Sequence, residues 1–125
     1  MKVPFDLYQD GIEFLLHEAE LIDDGKFRDW LELMTEDFTY KIPVRVTREK
    51  AAPTEFSDLA SHMDETKNTM EMRVIRAYSE YNWAEDPVSR TRHFLTNFRA
   101  EMDENTENEI HFKTNFLLYR GKFDL

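Results

Sequence analysis

The chain has 125 residues, enough for one domain, residues 1–125, with a modest core. Its 26 acidic residues outnumber 16 basic ones, and the resulting charge of −10 repels phosphate backbones and anionic lipid headgroups. It has no cysteine, which excludes disulfides, zinc–thiolate sites, iron–sulfur ligation by this chain and a cysteine nucleophile.

Ten Phe, five Tyr and two Trp indicate a folded globule. No basic stretch followed by an apolar run opens the chain, and no run reaches the roughly 18 apolar residues of a membrane span. A cytoplasmic protein that binds neither nucleic acid nor membrane is expected.

Phe5, Tyr8, Ile12, Leu15, Leu16, Ala19 and Ile22 recur at three- and four-residue spacing and predict a helix over 4–24. Gly11 lies inside it at a cost of about 1 kcal/mol relative to Ala. Asp23-Asp24-Gly25 is a stop signal. Phe27, Trp30, Leu31 and Met34 predict a second short helix over 26–35. Residues 37–47 switch to period two through Phe38, Tyr40, Ile42, Val44 and Val46, the pattern of a half-buried strand. Pro43 cannot donate a ladder hydrogen bond and marks an edge or a bulge there.

Residues 48–66 lose periodicity and read as a long loop carrying a turn of helix. Met70, Val74, Ala77, Tyr78 and Tyr81 restore helical spacing over 67–82. Residues 90–102 predict a strand with Phe94, Thr96, Phe98, Ala100 and Met102 on one face. A polar turn at 103–108 leads to a partner strand over 109–120, with Ile110, Phe112, Thr114, Phe116 and Leu118 on one face. The order is helix, helix, strand, helix, strand, strand: an α+β fold whose helices cover one face of an antiparallel sheet.

The chemistry-bearing residues concentrate between Trp83 and His93. None of the four histidines, His17, His62, His93 and His111, has the spacing of a metal site. His93 with Asp86, and Tyr40 in the same cavity, has the makings of a proton-transfer site; the favoured reading is that the same pair satisfies backbone groups in a tight crossover. Arg90 and Arg92 fall on one strand face, where they grip either Glu85 and Asp86 or a neighbouring subunit. Glu18, Glu20, Asp23 and Asp24 crowd a helix C-terminus, against its dipole, and read as a solvated acidic face or a docking patch for a basic partner.

The segment from Trp83 through Glu85, Asp86, Arg90 and Arg92 to His93 resembles the signature of the small (beta) subunit of aromatic-ring-hydroxylating dioxygenases. Residues 14–24 with 26–31 resemble that family's opening helices, 40–45 its first strand and 115–120 a later one. The first helix is especially similar to the phenylpropionate/cinnamate dioxygenase branch. The resemblance implies a cone-shaped, nuclear-transport-factor-like (SnoaL-like, cystatin-like) fold, a curved antiparallel sheet wrapped around helices. It also implies a structural subunit of a Rieske-type dioxygenase in aromatic-compound catabolism, assembled as three large and three small subunits, with contacts between small subunits. The Rieske iron–sulfur cluster and the mononuclear iron are then expected on the large (alpha) subunit, with no cofactor, metal or catalytic residue on this chain. Trp83, Glu85, Asp86, Arg90, Arg92 and His93 become determinants of fold and interface. Members of the family run several tens of residues past the Tyr119-Arg120 position, so the resemblance implies a truncated chain whose sheet lacks its last strands. Two rival readings stand beside it: a stand-alone cone-fold dehydratase or isomerase using His93 and Asp86, and a homodimeric binding module.

Overall fold

A computed structural model describes residues 2–45, 56–83, 90–106 and 108–121, and all their side chains except those of 44–45, 56–62 and 78–83. The elements follow the order α1 (Phe5–Asp23), α2 (Phe27–Glu32), β1 (Thr39–Arg45), β2 (Phe56–Thr66), α3 (Lys67–Trp83), β3 (Arg90–Met102) and β4 (Ile110–Gly121). β1 pairs with β2 and β3 with β4, each pair antiparallel.

α1 ends in a Schellman turn. Gly25 takes the left-handed conformation at φ 74°. The Lys26 N–H then reaches Leu21 O at 2.8 Å and the Gly25 N–H reaches Ile22 O at 3.0 Å. This turn swings α2 back onto α1, so that Leu21, Trp30 and Leu31 meet Met70 and Val74 of α3 in the buried core. Trp30 lies edge-on to Phe38 and Tyr40 of the following segment.

The region read as a loop over 48–66 contains β2. Its residues 63–66 pair with 39–42 of β1, and pairing resumes at Pro43↔Ser61 and Arg45↔Phe56 after register shifts on both sides of Pro43. The missing N–H of Pro43 interrupts the ladder there, as expected of an edge or a bulge. Phe-Ser-Asp-Leu-Ala-Ser-His-Met-Asp-Glu-Thr has no clean alternation, so the strand is imposed by its partner rather than by its own pattern. α3 then starts at a reciprocal cap. The Thr66 N–H donates to Thr69 Oγ1 at 2.8 Å and the Thr69 N–H to Thr66 Oγ1 at 3.4 Å.

β3 departs from the expected face. Asn97 sits at φ 57°, and the ladder jumps from Thr96↔Asn115 to Arg99↔Lys113. This β-bulge reverses the pleat. Thr91, His93 and Leu95 point inward before it, and Phe98, Ala100 and Met102 after it, while Phe94 and Thr96 face outward. β4 keeps one continuous phase, with Ile110 and Phe112 opposite Met102 and Ala100, and Phe116 and Leu118 opposite Leu95 and His93.

α1 packs on the inner face of this hairpin. Its buried stripe is narrower than the spacing predicts, because Phe5 and Leu16 lie on its exposed flank. Gly11 has a packing role: the Phe112 ring rests on it, and a Cβ there would overlap the ring. Tyr8 stacks on the same ring and donates its hydroxyl to Phe98 O at 3.1 Å.

Candidate functional site

A buried polar constellation joins the C-terminal turn of α1 to the start of β3. The Asp23 carboxylate receives three hydrogen bonds. The His93 backbone N–H donates to Oδ2 at 2.8 Å, the Thr91 hydroxyl to Oδ1 at 2.9 Å, and the His93 ring Nδ1 lies 2.6 Å from Oδ1. The Asp23 side chain is only 4% exposed and that of His93 19%. Burial alone pushes the Asp23 carboxyl up, but the donors of His93 and Thr91 together outweigh it and hold the group below the usual carboxylate range. An ionised Asp23 can only accept, so Nδ1 of His93 carries a proton in this contact.

Glu18, five residues earlier on α1, accepts the Trp30 indole N–H at 3.1 Å. Burial pushes its carboxyl up; the Trp30 hydrogen bond and the nearby His93 charge pull it down without cancelling the rise. The two carboxylates are thus driven in opposite directions. Asp23 is crowded by donors, whereas Glu18 has a single neutral donor to set against the cost of its burial.

The dense acids at the end of α1 therefore do not form a uniformly solvated face. Asp23 is nearly buried and Glu18 half-buried, while Glu20 and Asp24 remain exposed. The adverse dipole was the available signal. A carboxylate at the last turn of a helix needs donors from elsewhere, and β3 supplies them. Among the described residues the carboxylate partner of His93 is Asp23 of α1. Glu85 and Asp86 lie outside the described residues, as does the side chain of Trp83, which ends α3. Arg90 and Arg92 are both exposed on β3. Tyr40 lines an apolar cavity of about 230 Å³ with Ile22, Trp30, Met63 and Met70, and neither Asp23 nor His93 borders it.

One group among the described residues brings three metal-type donors within 4.8 Å of one another: Asp103, Glu109 and His111 at the β3–β4 turn. Asp103 already accepts the Asn105 N–H at 2.9 Å and shapes that turn, and Glu109 and His111 are exposed. With a single histidine it does not match a two-histidine, one-carboxylate iron site.

A family model described as the ring hydroxylating beta subunit matches residues 17–124. The chain belongs to this family. It is 34% identical over 128 residues to the beta subunit of 3-phenylpropionate/cinnamic acid dioxygenase from Photorhabdus laumondii, a match that covers 97% of this chain and 68% of that one. A solved structure of naphthalene 1,2-dioxygenase with indole bound in the active site superposes with a TM-score of 0.82 at 26% identity, over 98% of this chain and 64% of its own. The beta subunit of benzoate 1,2-dioxygenase from Burkholderia mallei shares the fold, with a TM-score of 0.63 at 21% identity over 90% of this chain and 76% of its own. The chain thus spans about two thirds of the length of the first two relatives. The α+β architecture expected for a ring-hydroxylating beta subunit is the one these structures share. No helix among the described residues is long and apolar enough to cross a membrane.

Proposed function

We propose that this chain is the non-catalytic small subunit of a Rieske-type aromatic-ring-hydroxylating dioxygenase of the cytoplasm, holding catalytic large subunits together in an assembly of three large and three small chains. The observation that carries this reading is the β3–β4 sheet. On its outer face Phe94, Leu117 and Tyr119 are 56%, 69% and 62% exposed, and Phe94 and Leu117 are direct cross-strand partners. Phe116 and Leu118 are exposed on the other face as well. A contiguous apolar row of this kind on a water-soluble chain marks a protein-contact surface. It is framed by Arg92, Arg99 and Lys113, so a basic, apolar sheet stands out on an otherwise acidic protein and favours an acidic partner surface.

The chemistry belongs to the other subunit in this reading. A chain with no cysteine cannot complete a Rieske centre, so the cluster and the mononuclear iron are assigned to the large chain. Asp23 and His93 serve as a tie between α1 and β3. All three donors around Asp23 come from the protein itself, and its side chain is nearly buried. A stand-alone dehydratase would need His93 beside an open pocket, and the apolar cavity lies elsewhere. The test is co-expression with a cognate large subunit. Co-elution, with activity lost when this chain is omitted, is expected; separate elution with a fully active large subunit would reject the reading.

A further inference from the structure

The closed end of the β3–β4 hairpin aims two carboxylates and an imidazole at one point. Met102 and Ile110, the last cross-strand pair of the ladder, turn inward. The two-residue period of the strands therefore puts Asp103, just past β3, and Glu109 and His111, on either side of Ile110, on the outer side. One donor atom from each of the three lies within 4.8 Å of the other two.

The geometry sets this group apart from a run of surface acids. His111 Nε2 stands 3.6 Å from Glu109 Oε2, too long for a hydrogen bond and close to the roughly 3.4 Å between two ligands of one tetrahedral zinc ion. Asp103 Oδ1 is held by the Asn105 N–H at 2.9 Å, the kind of outer hydrogen bond that orients a ligating carboxylate. Its Oδ2 has only a long contact of 3.5 Å with the Thr106 hydroxyl. Asp103 and Glu109 also set like charges against each other across the turn, a cost that a cation removes. One imidazole nitrogen with two carboxylate oxygens suits a borderline divalent metal such as zinc, with water completing the tetrahedron. It suits calcium poorly, which takes roughly six to eight oxygens. We propose that Asp103, Glu109 and His111 bind a zinc-type divalent cation that clasps the β3–β4 hairpin at its closed end.

Zinc chloride is titrated into the full chain carrying 15N-labelled histidine. One equivalent should shift the His111 Nε2 resonance and leave those of exposed His17 in place. Zinc should bind more tightly than calcium chloride by about tenfold or more. E109Q and H111Q change side chains that are 60% exposed, and each should weaken zinc binding by about tenfold or more without loss of fold. E104Q removes an exposed acid of the same turn that lies outside the donor set, and at physiological ionic strength it should bind zinc within about twofold of wild type. The proposal is overturned if zinc leaves His111 unmoved, if calcium binds as tightly, or if E104Q weakens binding as much as E109Q. Should a variant fail to fold, the His111 shift and the calcium comparison on the wild-type chain decide alone. Binding is read without a large subunit, so its failure is separable from a failure of assembly.

Discussion

The Asp23 carboxylate and His93 share two hydrogen bonds across 70 positions of sequence, one to the imidazole and one to the backbone N–H. The pairing fastens the last turn of the first helix to the first turns of the hairpin. With Thr91 as third donor, it satisfies a nearly buried charge that would otherwise be strongly destabilising.

Replacing Asp23 with alanine should therefore destabilise the chain by about 2–4 kcal/mol at neutral pH, since three donors lose their acceptor. Urea denaturation followed by circular dichroism measures this. D23N, which keeps one acceptor oxygen, should fall between wild type and D23A.

The pH dependence follows from the directions of the two carboxyls. Asp23 has a folded pKa below its ordinary value of 3.8, so its contribution is fully present above that value and is lost as pH falls through the lower folded value. Glu18 has a folded pKa above its ordinary 4.5, so the folded chain loses stability as pH rises through 4.5 towards that higher value. Melting temperatures across pH 2 to 7 should show D23N with a flattened acid limb. E18Q, which still offers an oxygen to the Trp30 N–H, should melt above wild type at pH 7, and the gain should vanish near pH 4.

Glycine inside a helix is ordinarily improved by alanine, by about 1 kcal/mol. G11A should do the reverse and destabilise by roughly 1–3 kcal/mol, because its methyl group meets the Phe112 ring. A double-mutant cycle with F112L, by chemical denaturation, should show positive coupling, with G11A costing much less once the ring is gone.

Asn97 occupies the left-handed region at φ 57°. N97G should be neutral or mildly stabilising, whereas N97V should destabilise by about 1–3 kcal/mol. Deleting the residue should be far worse. It would put Phe94 and Thr96 on the helix-facing side and turn His93 away from Asp23, which amide hydrogen exchange at the start of β3 would report.

Introducing a charge on the outer sheet face separates folding from assembly. L117D, at a position 69% exposed, should change stability by no more than about 0.5 kcal/mol. It should also reduce co-elution with the large subunit, measured by size-exclusion chromatography.

The legible parts of the fold were those with one strong period. The α1 stripe, the β3 and β4 bounds and the irregularity at Pro43 follow from spacing or from a missing N–H. β2 did not, because Ser, Asp, Ala and Thr along it carry little strand preference and its pairing with β1 is non-local. The bulge was equally hidden: an unbroken reading of Phe94, Thr96, Phe98, Ala100 and Met102 looks like a perfect strand face until Asn97 is known to be left-handed. At the site, His93 stood out from its neighbours, but Asp23 looked like part of a helix stop. Distance in sequence concealed the pair, and the acid set against the helix dipole was the one local clue.

The two attachments of α1 to the hairpin have a mechanical consequence. Tyr8 grips β3 at Phe98 and Asp23 grips it at His93. Fifteen helical steps between the grips span about 22 Å, and the five strand residues, one rise of which is taken up by the bulge at Asn97, about 14 Å, lengths that fit rods crossing obliquely. The helix thus gauges the strand. One residue added or removed between His93 and Phe98 displaces one grip by about 3.4 Å, more than a hydrogen bond tolerates, so only one end could remain closed. Strand length is held to a single value by a helix that precedes it by 66 residues, counted from Asp23 to Ser89.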